Sequence, residues 1–372
     1  MNAKGTEAEG GFPTPRRATR QVRVGSVLIG GGAPVVVQTM TKTDTRDVAA
    51  TVAQIRRAHA VGCELVRVAV PDEQAAEALR EIVRESPLPV VADIHFDYRL
   101  ALLAIDAGAA KVRINPGNIG GREKLRAVVR AAQERGVALR VGVNSGSLER
   151  ELREKYGGAT AEAMVESALR AVGQVEELGF SDIVVSLKAS DVARTVQACR
   201  LFAERSDCPQ HLGVTEAGLP PAGTVRSAVA LGILLGEGIG DTMRVSLTAP
   251  PEEEVRAGWE ILRAVGLRTR GPVIVSCPTC ARCEIDLVAL AEAVRERVEE
   301  ISAPLHLAVM GCAVNGPGEA READVAICGG KGCGVVVRRG EIVGRFAEGE
   351  LLEAFLAEVR AAARELEEGG RR

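Results

Sequence analysis

The chain has 372 residues, too many for one ordinary hydrophobic core, so a large domain with a smaller companion is expected. Its 46% hydrophobic and 2% aromatic content leaves Val, Leu, Ile and Ala to fill the interior, the composition of a buried parallel sheet. A net charge of −3 with dispersed Lys and Arg excludes a basic stripe for nucleic acid, the few aromatics exclude a base-stacking platform, and no apolar run reaches the roughly 20 residues that cross a bilayer.

Residues 1–20 lack periodicity and read, like the closing Glu-Glu-Gly-Gly-Arg-Arg, as mobile tail. Residues 21–31 read as two short strands around Gly25-Ser26, a hairpin suited to plugging one end of a larger unit. A repeating cadence follows. Apolar β-branched runs at 35–38, 65–70, 90–94, 112–114, 139–143, 183–187, 212–214 and 243–247 alternate with segments of helical spacing, among them 48–60, 73–84, 124–134 and 192–203. Eight such alternations over about 250 residues predict a (β/α)₈ TIM barrel across 21–268. An open doubly wound sheet would need a Gly-rich dinucleotide turn after its first strand, which the sequence lacks. Pro250-Pro251 followed by Glu252–Glu254 suits the first turn of the eighth helix, and Gly266 its end.

Residues 269–273 read as a linker into a second unit, 269–366. It is predicted as a small α/β sandwich with a helix over 287–298, a strand over 305–310, a hairpin-like pair (325–328 and 335–338) and a terminal helix near 351–366. Nine cysteines without a signal peptide argue for reduced thiols and a cytoplasmic protein.

Two constellations carry chemistry. In a TIM barrel the active site collects at the C-terminal strand ends, and here those ends bear Arg67, Asp93, His95, Arg113, Asn115, Arg140, Asn144, Lys188, Glu216, Arg244 and Ser246. A single strand-end Arg is more often paired with a loop carboxylate, and a lone His is as often a satisfied core residue. Five cations converging on one rim imply a ligand with several negative charges, such as a diphosphate, because unpaired charge is costly inside a barrel. The Gly-rich segments 115–118 and 236–240 are candidates for offering backbone N–H groups to phosphate.

In the second unit, Cys277-Pro278-Thr279-Cys280 sets two thiolates on one turn, and Cys312 follows a predicted strand into the Gly- and Pro-rich loop 311–319. Soft thiolates suit structural zinc, an iron–sulfur cluster or a redox dithiol, and spacing alone leaves the three open. Cys283, close by, is a competing ligand.

With Glu319 added, Cys277, Cys280 and Cys312 resemble the cluster motif of the 4-hydroxy-3-methylbut-2-enyl diphosphate synthase (GcpE/IspG) family of the non-mevalonate isoprenoid pathway. The segments 66–71, 92–96, 113–118, 142–147, 214–218 and 244–248 resemble the same family, so the likeness runs from about Thr19 to about Val343. It implies a [4Fe-4S] cluster on Cys277, Cys280, Cys312 and Glu319, whose carboxylate would be the weakly held corner. It also implies an oxidoreductase that reduces and opens 2-C-methyl-D-erythritol 2,4-cyclodiphosphate to (E)-4-hydroxy-3-methylbut-2-enyl diphosphate. Arg67, Arg113, Arg140, Lys188 and Arg244 would clamp the phosphates; Asp93, His95, Asn115, Asn144 and Ser246 would orient the carbon skeleton. Glu216 would be the proton donor, unless it is a structural partner of Lys188 or Arg244. Flavodoxin or ferredoxin as electron donor and a homodimer follow from the same likeness, with sequence not deciding whether the site closes within one chain or across two. Cys283, Cys328 and Cys333 depart from the family pattern. The rival readings are a non-catalytic zinc-stabilised barrel module, which leaves the five cations unexplained, and a pterin-type methyl-transfer barrel, which leaves the thiolates idle.

Overall fold

The computed structural model describes residues 12–115, 117–312 and 316–369, which divide into two compact units, the first ending at Arg268 and the second beginning at Thr269. In the first, β1 (Val22–Val24) and β2 (Val27–Ile29) pair antiparallel about Gly25-Ser26. Eight parallel strands follow: β3 (Val36–Met40), β4 (Leu65–Ala69), β5 (Val90–Asp93), β6 (Lys111–Ile114), β7 (Ala138–Asn144), β8 (Ile183–Lys188), β9 (His211–Leu212) and β10 (Thr242–Met243). They run in the order β8-β7-β6-β5-β4-β3-β10-β9, and a parallel bridge from Val185 to Gln210 joins the two ends into a barrel.

Local chemistry explains the alternation. Asp47, Asp72, Asp97 and Asp191 each accept a hydrogen bond from a first-turn N–H of the helix they precede (Val48–Ala60, Glu73–Glu85, Tyr98–Asp106 and Val192–Ala203), filling donors that have no intrahelical partner. Val22, Val24 and Ile29 of the hairpin pack against Val36, Leu65, Ala138 and Val184, which stand near the N-terminal ends of their strands, so the hairpin plugs the floor of the barrel and leaves the opposite end for chemistry.

Three expectations change. Residues 12–20 are not a loose tail: Thr14 N donates to Gly236 O at 2.8 Å, Arg17 N to Gly238 O at 3.1 Å, and Arg16 pairs with Asp241 at 2.6 Å. The Gly-rich segment 236–240 connects a helix (Ala222–Gly236) to the start of β10, which puts it at the floor and not at the phosphate-binding end; its close approach serves the N-terminal segment, since a Cβ on Gly238 would sit 2.4 Å from Pro15 O. The last two strands are shorter than their apolar runs. Leu247 N–H bonds to Glu254 rather than to a neighbouring strand, so Arg244 and Ser246 stand on the loop just past β10.

The second unit is a five-stranded sheet, β11 (Val273–Ser276), β12 (His306–Met310), β13 (Val325–Gly330), β14 (Cys333–Arg338) and β15 (Glu341–Ala347), parallel through β13 and antiparallel thereafter. The helices Leu287–Val298 and Leu351–Gly369 cover one face. The short helix Gly316–Glu322 lies on the other, its Ala320 packing with Met310, Ala326 and Cys328. Sequence reading missed β15 and β11, whose first residue, Val273, it placed at the end of the 269–273 linker. It also read 311–319 as all loop, because Gly and Pro break helices, yet both are tolerated in a first turn whose N–H groups have no intrahelical partner.

Candidate functional site

The strand register aims the cations. Arg67 pairs across with Val91, Asp93 with Arg113, Arg113 with Arg140 and Asn144 with Lys188; paired residues on adjacent strands share a face, so these side chains line the interior at successive strands. Gly142 on β7 and Gly213 just past β9 make room for them. A Cβ on Gly142 would lie 2.7 Å from Arg113 Nε, and one on Gly213 would lie 2.8 Å from Lys188 Nζ.

Among the described residues the carboxylates are too few to neutralise this set. Asp93 stands 3.8 Å from Arg67 Nε, 3.4 Å from Arg113 Nη1 and 3.3 Å from His95 Nε2. Burial opposes its ionisation, but Arg67, His95, Arg113 and Arg140 outweigh burial and hold its carboxyl well below the usual range. Glu254 is the second carboxylate. It takes Arg244 through Nε at 3.1 Å and Nη2 at 3.2 Å, Lys42 Nζ at 3.0 Å, Thr39 Oγ1 at 2.7 Å and Leu247 N at 3.0 Å.

Arg140 and Lys188 are left without a carboxylate partner among the described residues, and Arg140 Nε and Nη1 are buried with no hydrogen-bond partner there. Burial, then the neighbouring cations, push both side chains well below their ordinary pKa. Burial likewise lowers Arg67 to about 10, with Asp93 opposing and Arg244 and Arg113 adding to the fall. The site is therefore a pocket of uncompensated positive charge in a low-dielectric interior, the electrostatic complement of a polyanion.

The other residues divide. His95 touches Asp93 and lies 3.2 Å from Arg113 Nη1. Asn144 is half-buried at the end of β7, and Ser246 is half-buried on the loop past β10. Asn115 is buried, and its Oδ1 already accepts from Gly117 N at 3.1 Å, so the residue shapes its own turn; Pro116 lies outside the described residues. Glu216 is exposed, pairs with neither Lys188 nor Arg244 among the described contacts, and holds a left-handed backbone at φ +54°, a conformation that costs a non-glycine residue about 1 kcal/mol or more.

Glu254 was missed as a site residue. The sequence reading used it only as a first-turn acid, but its spacing with Val255, Gly258 and Leu262 puts it on the buried stripe of the helix Pro251–Ala264, and an acid inside an apolar stripe was the available signal. Lys111 was passed over as well: it is fully buried on β6, and its Nζ has no hydrogen-bond partner among the described residues.

In the second unit Cys277, Cys280 and Cys312 line one cavity of about 120 Å³, together with Arg282, Met310, Gly311 and Gly316. Gly311 N donates to Cys277 Sγ at 3.5 Å, and Thr279 between the paired cysteines takes φ +61°, turning the chain so that both thiols reach the same space. Glu319 is half-buried one turn along the helix that Gly316 opens and is not itself among the cavity's lining residues. Among the described residues no three His, Cys, Asp or Glu side chains close on one point as a single tetrahedral ion would require. Three thiols around a shared space fit a larger thiolate-held group whose ligands attach at separate corners.

Cys283 is engaged elsewhere: its thiol donates to Ile285 O at 3.3 Å and presses on Gly311. Cys328 is buried behind the helix, and burial together with nearby Cys312 pushes its thiol up to about 11. Cys333 accepts from Arg345 at 3.0 Å in a separate cavity of about 360 Å³. None of the nine cysteines is in a disulfide.

Fold and site together define a class: a (β/α)₈ barrel with a cationic mouth, continued by a small α/β domain with a thiol-lined cavity. Residues 19–259 match the GcpE TIM-barrel domain and residues 273–361 the GcpE protein C-terminal domain. The chain belongs to the GcpE family. It is 60% identical over 341 residues to 4-hydroxy-3-methylbut-2-en-1-yl diphosphate synthase (flavodoxin) of Geobacter sulfurreducens, covering 92% of this chain and 97% of that protein. It is 56% identical over 356 residues to the synthase of the same name from Symbiobacterium thermophilum, covering 96% of each. Among solved structures, the dihydropteroate synthase of Yersinia pestis matches at a TM-score of 0.48 and 10% identity, over 67% of this chain and all of that one, a likeness from which nothing further follows. These relatives favour neither the zinc module nor methyl transfer.

Proposed function

We propose that the chain catalyses the two-electron reductive dehydroxylation and ring opening of 2-C-methyl-D-erythritol 2,4-cyclodiphosphate to (E)-4-hydroxy-3-methylbut-2-enyl diphosphate, the compound that its relatives are named for making. The observation that carries this reading is the excess of buried cations over carboxylates at the barrel mouth, Arg140 and Lys188 above all. Arg67, Arg113, Arg140, Lys188 and Arg244 grip the two phosphates, while Asp93, His95, Asn115, Asn144 and Ser246 fix the carbon skeleton. Glu216, whose carboxyl is free of an ion pair among the described residues, holds the proton that accompanies the departing hydroxyl.

Cys277, Cys280, Cys312 and Glu319 are the ligands for a [4Fe-4S] cluster, which supplies single electrons at low potential when bound. The three-thiol cavity supports this donor set. Flavodoxin is the electron donor, as the relatives' name states for them, with ferredoxin the second candidate. The reduced cysteines support a cytoplasmic location, and no helix among the described residues is long and apolar enough to cross a membrane. A homodimer is supported by the helix Ala222–Gly236, which leaves Val225, Val229 and Ile233 59%, 48% and 38% exposed at four-residue spacing, one continuous apolar stripe.

The test is anaerobic turnover of the cyclodiphosphate by iron-loaded protein with reduced flavodoxin. Product formed with two electrons consumed per substrate is expected. Full iron and sulfide content without turnover would overturn the reading, and colourless zinc protein would favour the structural module.

A further inference from the structure

We propose that Glu254 is a positioning residue that aims the guanidinium of Arg244 at the substrate's diphosphate. The inference rests on the proposed function and adds a residue to which neither the family comparison nor the sequence reading gave a role at the site. Glu254 meets Arg244 side-on: Oε2 takes Nε and Oε1 takes Nη2. A guanidinium carries five N–H groups in a rigid plane, so a carboxylate on the Nε/Nη2 edge leaves the end pair, one N–H on each Nη, facing away from it. Met40 Sδ, 3.6 Å from Nη1 and 3.0 Å from Arg67 Nε, braces the remaining edge with a neutral acceptor that subtracts no positive charge.

Glu254 is itself immobilised. It is buried on the inner stripe of the helix Pro251–Ala264, and Thr39 Oγ1, Leu247 N and Lys42 Nζ use up its other lone pairs. A carboxylate needed only to neutralise charge does not require five fixed donors from strand β3 and the two loops that follow β3 and β10. Such a set is what holds a planar fork in one orientation, so that the end pair is in place before the anion arrives.

The roles of counterion and aiming device give opposite signs, which makes the claim testable. Removing a negative charge beside a polyanion site should tighten anion binding if Glu254 is only a counterion. Losing the aim should weaken it. Inorganic pyrophosphate binding to the holoprotein, measured by anaerobic titration calorimetry, is the readout. E254Q is expected to weaken binding about tenfold or more, the scale of one charged hydrogen bond. E254D keeps the charge but shortens the reach, and it too is expected to weaken binding, whereas a counterion would leave it unchanged. In an R244A background E254Q is expected to have no further effect, because a residue acting through Arg244 has nothing left to aim. Tighter binding in E254Q, unchanged binding in E254D, or an undiminished effect of E254Q in R244A would each overturn the proposal. Failure of the unmodified holoprotein to bind pyrophosphate would overturn the cationic clamp itself and the positioning role with it, while turnover without the cycle's coupling would remove Glu254 alone.

Discussion

Arg113 crosses the strand beside it at a glycine: a Cβ on Gly142 would stand 2.7 Å from Arg113 Nε and 3.1 Å from Nη2. The guanidinium is buried and tied to Asp93, so it has little freedom to yield. G142A is therefore expected to displace Arg113 and weaken pyrophosphate binding by about tenfold, a loss of about 1.4 kcal/mol. The barrel should remain folded, because the strand backbone at Gly142 is not left-handed. Binding and circular dichroism on the same preparation check this, and an unaltered affinity would show that Arg113 does not reach the anion.

The thiol cavity separates the cysteines by role. C280S removes one of the three cavity-lining thiols and is expected to lose the bound iron, the sulfide and all turnover. C283S is expected to keep them, since that thiol is spent on Ile285 O and lines no part of the cavity. Iron and acid-labile sulfide assays on anaerobically purified variants decide the matter. Iron retained in C280S, or lost in C283S, would reassign the ligands.

Asp93 fixes an acid limit for the barrel. Its carboxyl is held well below the ordinary range because Arg67, His95, Arg113 and Arg140 outweigh the penalty of burial. A carboxylate with a depressed folded pKa binds fewer protons than the unfolded chain, so its stabilisation is complete above the unfolded value of about 4 and is lost as pH falls through the folded value. The stability difference between the native protein and D93N should thus be flat from pH 7 down to about 4.5 and shrink below about 4. Denaturant unfolding at stepped pH measures it, and a difference already fading near pH 6 would contradict the assignment.

Much of this was legible in the sequence because it follows from short-range rules. β-branched runs at barrel intervals located all eight strands, and the helices over 48–60, 192–203 and 287–298 agree at both ends with those observed. The cations were readable because a barrel collects its chemistry at the C-terminal ends of its strands, where they stand. What escaped depends on partners distant in sequence. Glu254 meets Thr39 from 215 residues away, and no local pattern reports that. The segment 236–240 looked like a phosphate loop because glycine signals close approach without naming what approaches; Pro15 and Arg16 were its neighbours. β15 was invisible for a related reason: its residues are mostly exposed, so the strand carries no buried run to betray it.

The mouth of the barrel trades stability for binding, and Lys188 is where the trade is most exposed. Its ammonium is buried among Arg140, Arg67, Arg244 and Arg113, with burial and then those charges pushing its pKa well below the ordinary lysine value. A cation so depressed binds fewer protons when folded than when unfolded. Between its folded value and the unfolded value of about 10.4 stability must therefore rise with pH, as releasing the unfolded amine's proton on folding costs less and less. K188M, which keeps most of the side chain's length and removes the amine, is expected to stabilise the protein by roughly 1–3 kcal/mol at pH 7 and to flatten that rise. The same change should weaken pyrophosphate binding at least about tenfold, since one charged donor to phosphate is gone. Pyrophosphate at about 100 times its dissociation constant should stabilise the native protein by about 2.7 kcal/mol, and K188M much less at the same concentration. Thermal and denaturant unfolding with and without pyrophosphate test both halves. A K188M protein less stable than the native one, with its anion affinity intact, would mean that Lys188 serves the fold and that the anion is gripped elsewhere.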